Sequence, residues 1–266
     1  MKTYGTRTLL VFTAILAGLC GLLIPAIQAA RNAAMEISCA SNLRQVALGL
    51  SNYEAAYRQL PIAVETASSG KLWRSWRTHV YPKFMEQMPQ VYDASTAWDS
   101  ITNTRLINGA PIPMAAGKGG GTVMVSLERV PWCFSCPKCK NKNGVNYVVI
   151  TGDGTLFPDS RSAKLSDVSD GVENTLFVVE SVNCTLDWIE PRDLDIKTME
   201  FAINSRVGPS ISSHHPGGAL VCFADLKVFY MTPSISETEL KAMITIDGGE
   251  SIRRENLVSR GVLIAR

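Results

Sequence analysis

Leu9-Leu-Val-Phe-Thr-Ala-Ile-Leu-Ala-Gly-Leu-Cys-Gly-Leu-Leu-Ile-Pro-Ala-Ile27 decides how the rest of the chain is read. From Thr8 to Ala30 no side chain is charged, and Gln28 is the only strongly polar one. A helix of that length rises about 1.5 Å per residue and crosses a hydrocarbon core of about 30 Å. Lys2 and Arg7 precede it and Arg31 follows. The competing reading is a cleaved signal peptide, with small residues Ala29 and Ala30 near the cut. The length of the apolar run, with no helix-breaking gap after it, favours a retained anchor. The expected organisation is a cytoplasmic N-terminus over 1–7, a transmembrane helix over 8–30 and an extracytoplasmic α+β domain over 31–266. The basic residues before the helix predict that the N-terminus stays inside.

Outward from this stretch, the helical pattern continues. Strong helix formers run on from Ala26, and Leu43, Val46, Leu50, Tyr53 and Tyr57 recur at spacings of three and four. That places one apolar stripe on a helix reaching about Gln59, with Pro61 beyond its end. Pro25 is expected to kink this helix without ending it. The prediction is one long helix with a membrane half and an amphipathic half, the second half packed on a folded domain.

The composition narrows the function classes. The 266 residues carry a formal charge of +2, too little to hold a nucleic acid through its phosphates, so no nucleic-acid partner is expected. Leu72 to Phe84 alternates aromatic and basic residues, which can signal base stacking. Without a wider basic field, burial of Trp73 and Trp76 at a strand or helix edge is the better reading. Met85 to Tyr92 reads as a short helix, and Asn108 to Gly121 as a loop broken by Pro111 and Pro113. Inside that loop, Gly117-Lys-Gly-Gly-Gly-Thr122 lacks the order of a phosphate-binding loop.

Beyond it the chain turns β-rich. Strands are expected over Thr122 to Val130, Asn146 to Thr151, Thr175 to Glu180, Leu220 to Ala224 and Val228 to Met231. Ser236-Glu-Thr-Glu239 is a capping box opening a helix to about Ile244.

Three clusters could carry chemistry. Cys133-Phe-Ser-Cys136-Pro-Lys-Cys139 has the spacing of a zinc knuckle, but no second ligand pair follows, and only Cys184, Cys222 or a distant histidine could complete it. Disulfides or buried free thiols are the competing readings. Ser213, His215 and Asp225 could be drawn as a hydrolase triad, yet no nucleophile elbow appears and turn residues around a hairpin explain the same letters. Asp167, Asp170, Glu173 and Asn174 do not have the spacing of a calcium loop, and a capped turn is expected there. No cofactor and no catalytic residue is therefore expected.

Several pieces in order resemble a known family. Leu23-Ile-Pro-Ala-Ile-Gln-Ala-Ala-Arg31 and Cys39-Ala-Ser-Asn-Leu-Arg-Gln45 are similar to the start of the planctomycete prepilin-like proteins, whose shared domain has no known function. Ser75-Trp-Arg77, Trp98-Asp-Ser100 with Asn103, Cys136-Pro137 and Asn146 to Thr155 continue the likeness. So do Ser166 to Thr175, which includes Asp170 and Gly171, Asp187 to Asp193, and Leu240 to Glu250. His215, nine residues, then Asp225 resembles that family's export motif, with Leu226 where the family has glycine. The resemblance implies a pilin-like or pseudopilin-like fold displayed outside the cytoplasm. It also implies the bilayer, other pilin-like subunits or secretion machinery as partners. Because Cys39 and Cys136 lie in family-like pieces, it implies a disulfide between them. The family's glutamate, five residues after its processed bond, has no counterpart here before Glu36. An unprocessed N-terminus is the expectation.

The leading function is an anchored pilin-like structural or secretion component. The runners-up are an anchored ligand-binding module on the same fold and, last, a hydrolase.

Overall fold

The computed structural model describes residues 5–80, 92–108, 112–115, 122–125, 131–139, 144–159, 161–182 and 186–266. Helix α1 runs unbroken from Thr6 to Tyr57, 52 residues with Pro25 inside it, or about 78 Å. Arg58 stops it in a left-handed conformation, φ 59°, and returns its N–H to the Glu54 carbonyl at 2.7 Å.

The helix has two unlike halves. Every large apolar side chain from Leu9 to Ile27 is between 49% and 77% exposed. Burial begins at Cys39 and continues through Leu43, Val46, Ala47 and Leu50, each 0% exposed. The predicted stripe is correct over Leu43, Val46 and Leu50, but it stops a turn early. Tyr57 is 56% exposed; its ring packs on Tyr53, centroids 4.4 Å apart, and not on the core.

The buried half of α1 lies against a five-stranded antiparallel sheet. After the hairpin β1 (Val64–Thr66) and β2 (Leu72–Ser75) come helices α2 (Trp76–Val80) and α3 (Ile101–Asn108). Next are the paired strands β3 (Ile112–Ala115) and β4 (Thr122–Val125). The predicted loop from Asn108 to Gly121 is thus corrected: its described residues are the end of α3 at Asn108 and the strand β3, with Pro113 opposite Met124. A two-stranded ribbon has only edges, where a proline without an N–H is tolerated. The Gly117 to Gly121 run, the strand expected over 126–130 and all but Tyr92 of the expected Met85 helix lie outside the described residues.

The sheet itself is ordered β11-β10-β9-β7-β5. Its strands are β5 (Tyr147–Val148), β7 (Leu176–Glu180), β9 (Ala219–Phe223), β10 (Val228–Met231) and β11 (Leu263–Ala265). A short parallel pair, β6 (Ile150–Thr151) and β8 (Leu194–Asp195), stands beside it. β7, β9 and β10 are buried at every residue, so the sheet is covered on both faces. This explains why these strands read as continuous apolar runs and not as alternating ones. Helices α4 (Glu237–Ile244), with the predicted Ser236–Glu239 capping box, and α5 (Arg254–Ser259) complete the chain. The expected class, a long helix on an antiparallel sheet, is the fold observed.

At the open end of the β9–β10 hairpin, just before β9, Gly218 is obligatory. A Cβ there would sit 2.3 Å from the Met231 carbonyl oxygen.

Candidate functional site

The place where α1 enters the domain gathers the polar groups with most chemical potential. Cys39 is the first buried residue of the helix, and its sulfur is bonded to Cys136, 97 residues later, with Cα atoms 5.2 Å apart. Cys136 follows a 3-10 turn over Trp132–Phe134. Its backbone N–H donates to the Asn146 side-chain oxygen at 2.9 Å. Tyr147, the first residue of β5, donates its hydroxyl to the Cys39 carbonyl at 3.1 Å. The two half-cystines are therefore held through their backbones by adjacent residues at the start of one strand.

His215 completes this cluster. It is 2% exposed, its Nε2 lies 3.6 Å from Cys136 Sγ, and its backbone N–H donates to Ser213 Oγ at 3.0 Å. Burial, reinforced by the nearby Lys138 charge, holds its ring below the ordinary histidine range. Among the described residues, Cys39, Cys136 and His215 are the one group of three whose metal-capable atoms all lie within 4.8 Å of one another.

The set expected from sequence is different. Cys133 is a buried free thiol and Cys139 is buried, while the Cys136 sulfur is committed to Cys39, so the three do not converge on one point. Spacing alone could not show this, because the 3-10 turn and Asn146 aim Cys136 at the helix. Burial pushes the Cys133 thiol up to about 12, as it does Cys222 in β9. Cys184 lies outside the described residues.

Glu180, at the end of β7, is fully buried and was not singled out from sequence. One carboxylate oxygen accepts from the Leu220 N–H at 3.3 Å; the other has no partner among the described residues. Burial pushes this carboxyl up to about 7.

The ends of the His215–Asp225 motif are used separately. Strand β9 lies between them, about 17 Å of extended chain. Asp225 is bound through both oxygens to Arg254, at 2.8 and 2.7 Å. Ser213, His215 and Asp225 are accordingly not assembled as a triad.

The other singled-out residues serve as hydrogen-bond ties. Asp170 accepts from the N–H groups of Gly248 and Gly249 at 2.8 and 3.2 Å. Gly171, at φ 94°, makes the turn that lets Asn174 reach both the Asp170 carbonyl and the Arg254 N–H. Asp167 accepts from the Lys164 N–H. Ser75-Trp-Arg77 and Asp193 meet in the core: Arg77 reaches Asp193 Oδ1 at 2.6 Å, with both side chains fully buried, and Trp76 Nε1 and the Val149 N–H donate to the same carboxylate. A buried arginine has no signature in hydropathy. Its only signal was the proximity of tryptophan and serine.

A cleft of about 290 Å³ opens between β1, β2 and the β6–β8 pair, with Thr151, Asp159, Asp193 and Asp195 on its wall. Asp193 is taken by Arg77, and Asp159 pairs with Lys197 at 3.1 Å.

The molecule is thus an α+β protein whose long helix is stapled, beside a buried histidine, to the loop that leads into its sheet. Residues 28–148 match the model of a family, SBP_bac_10, described as a protein of unknown function (DUF1559). The matched region starts just after the apolar stretch and takes in Cys39, Cys136 and Tyr147, in a little under half of the chain. No curated protein and no solved structure matches the chain.

Proposed function

We propose that this protein is a non-catalytic, membrane-anchored component of pilin-like or pseudopilin-like build, with its α+β domain outside the cytoplasm. One observation carries the reading: the first part of α1 is apolar on all sides, and 0% of its most apolar 18-residue window is buried by the domain. In water such a surface is strongly unfavourable, whereas a helix apolar all round suits lipid. The domain match and the Cys39–Cys136 disulfide are compatible with it, since disulfides persist in oxidising compartments. The polar letters of the motifs are absorbed in ties between loops and sheet, which supports a structural role over a catalytic one.

Within the helix the first acid is Glu36, and it already pairs with Arg266 at 2.5 Å. No carboxylate is left in the lipid-facing half to neutralise a neighbouring subunit's amine. The protein would accordingly act as a fixed component with an unprocessed N-terminus, and not as a major filament subunit.

Fractionation of the native protein tests this. The chain should remain in the pellet through carbonate washing, and N-terminal sequencing should find it uncleaved. Leu16→Arg should weaken insertion by about 2–4 kcal/mol. Recovery of full-length protein freely soluble without detergent, or of wild-type protein in sheared filaments, would overturn the proposal. A saturable small ligand in the cleft beside Asp195 would favour the anchored binding module instead.

A further inference from the structure

We propose that Cys39, Cys136 and His215 form a redox-gated site for zinc or a similar thiophilic divalent cation. The disulfide closes the site, and its reduction opens a centre with two thiolate ligands and one imidazole ligand. The proposal is independent of the anchor reading.

The geometry is what carries it. With Zn–S near 2.3 Å and Zn–N near 2.0–2.1 Å, the sulfur-to-nitrogen edge of a tetrahedral site is about 3.6 Å. Cys136 Sγ and His215 Nε2 are 3.6 Å apart. The sulfur-to-sulfur edge of the same tetrahedron is about 3.8 Å, close to where two sulfurs settle once the bond between them is gone. All three donors lie within 4.8 Å of one another and all three residues are buried. Their backbones are fixed by contacts that do not pass through the disulfide: Asn146 to the Cys136 N–H, Tyr147 to the Cys39 carbonyl and Ser213 to the His215 N–H. The ligands should therefore stay in place when the sulfurs part. Two sulfurs and an imidazole select zinc-like ions over magnesium or calcium, and the fourth position takes water.

The chemistry balances in two steps. A dithiol reductant supplies two electrons and two protons, cleaving the Cys39–Cys136 bond to two thiols while becoming a disulfide itself. The cation then displaces both thiol protons to solvent and is bound by two thiolates and the neutral imidazole. Nothing changes oxidation state in this second step.

The test uses the full chain in detergent, reduced with a phosphine, desalted without oxygen and titrated with Co²⁺. One Co²⁺ per chain is expected, with thiolate-to-cobalt absorption in the near ultraviolet and tetrahedral bands in the visible, both removed by Zn²⁺. The oxidised chain should show neither band. His215→Ala, and the gentler His215→Gln, should weaken binding by at least about tenfold. A chain with Cys133→Ser and Cys139→Ser should bind as the wild type does. Three results would each overturn the proposal. The first is a reduced chain, folded or unfolded, that takes up no stoichiometric cobalt. The second is unchanged affinity in both His215 variants. The third is loss of binding when only Cys133 and Cys139 are replaced.

Discussion

Arg254 closes both oxygens of Asp225 in a two-pronged contact, Nη1 to Oδ1 at 2.8 Å and Nη2 to Oδ2 at 2.7 Å. The guanidinium is also 5.0 Å from the Phe223 ring centroid and 5.1 Å from that of Phe229. Asp225 sits in the turn joining β9 to β10, and Arg254 opens α5, so the contact ties that turn to the last helix. Burial alone would raise the Asp225 carboxyl; the hydrogen bonds and charge of Arg254 hold it below the usual carboxylate range. Its contribution to stability is therefore present above pH 3.8 and is lost as the pH falls through the lower folded value.

Asp225→Asn should leave a nearly buried guanidinium without its counter-charge and cost about 3 kcal/mol. Denaturant unfolding of the full chain in detergent at pH 7 measures this. The difference from wild type should shrink below pH 3.8, and a difference that persisted at full size there would assign the cost to packing.

Glu180 predicts the opposite pH trend. Its folded value, about 7, is above the ordinary 4.5, so the folded state holds the proton more tightly. Stability should be greatest below pH 4.5 as far as this group is concerned, and should fall between pH 4.5 and 7 as the buried carboxyl ionises. The total fall is about 3 kcal/mol. Glu180→Gln should flatten this part of the pH profile, which a melting series from pH 4.5 to 8 would show.

The Cys39–Cys136 bond closes a loop with a sequence separation of 97 residues. Constraining so long a loop in the unfolded chain is worth about 4–5 kcal/mol in the entropic account. Reduction, or Cys39→Ser with Cys136→Ser, should lower the unfolding midpoint correspondingly. Thiol alkylation read by mass spectrometry should show these two cysteines protected until reductant is added, while Cys133 alkylates once the chain is unfolded.

Leu226 has φ 64° in the turn after Asp225, where its N–H returns to the Phe223 carbonyl at 2.9 Å. A side chain there is strained by about 1 kcal/mol. Leu226→Gly relieves this at the expense of the partial packing the leucine makes on the core. The melting temperature should rise by about 1–3 °C, and an unchanged or lower value would show that packing outweighs strain.

Much of the fold was legible because it rests on local patterns. The run from Leu9 to Ile27 is apolar whatever surrounds it. The Leu43, Val46 and Leu50 stripe follows from helical periodicity, and Ser236 with Glu239 caps a helix within four residues. Where the reading failed, a partner distant in sequence decided the outcome. Pro113 sits in a strand because Met124 lies opposite, and Tyr57 turned from the core to Tyr53. Asp170 was visible as part of a capped turn; the Gly248 and Gly249 amides that its carboxylate serves were not.

By itself the sequence determined an apolar helix long enough for a bilayer, its amphipathic continuation and a β-rich remainder, since side-chain period and hydropathy are properties of neighbours along the chain. Only the tertiary structure decided that His215 rests on Cys136, that Asp225 belongs to Arg254, that Arg77 is neutralised by Asp193 and that Glu180 is buried with one oxygen unsatisfied among the described residues. The physical reason is that each of these depends on groups tens to more than a hundred residues apart. Their charge, burial and reach are set by where the sheet and α1 bring the chain back upon itself, which no local pattern of residues encodes.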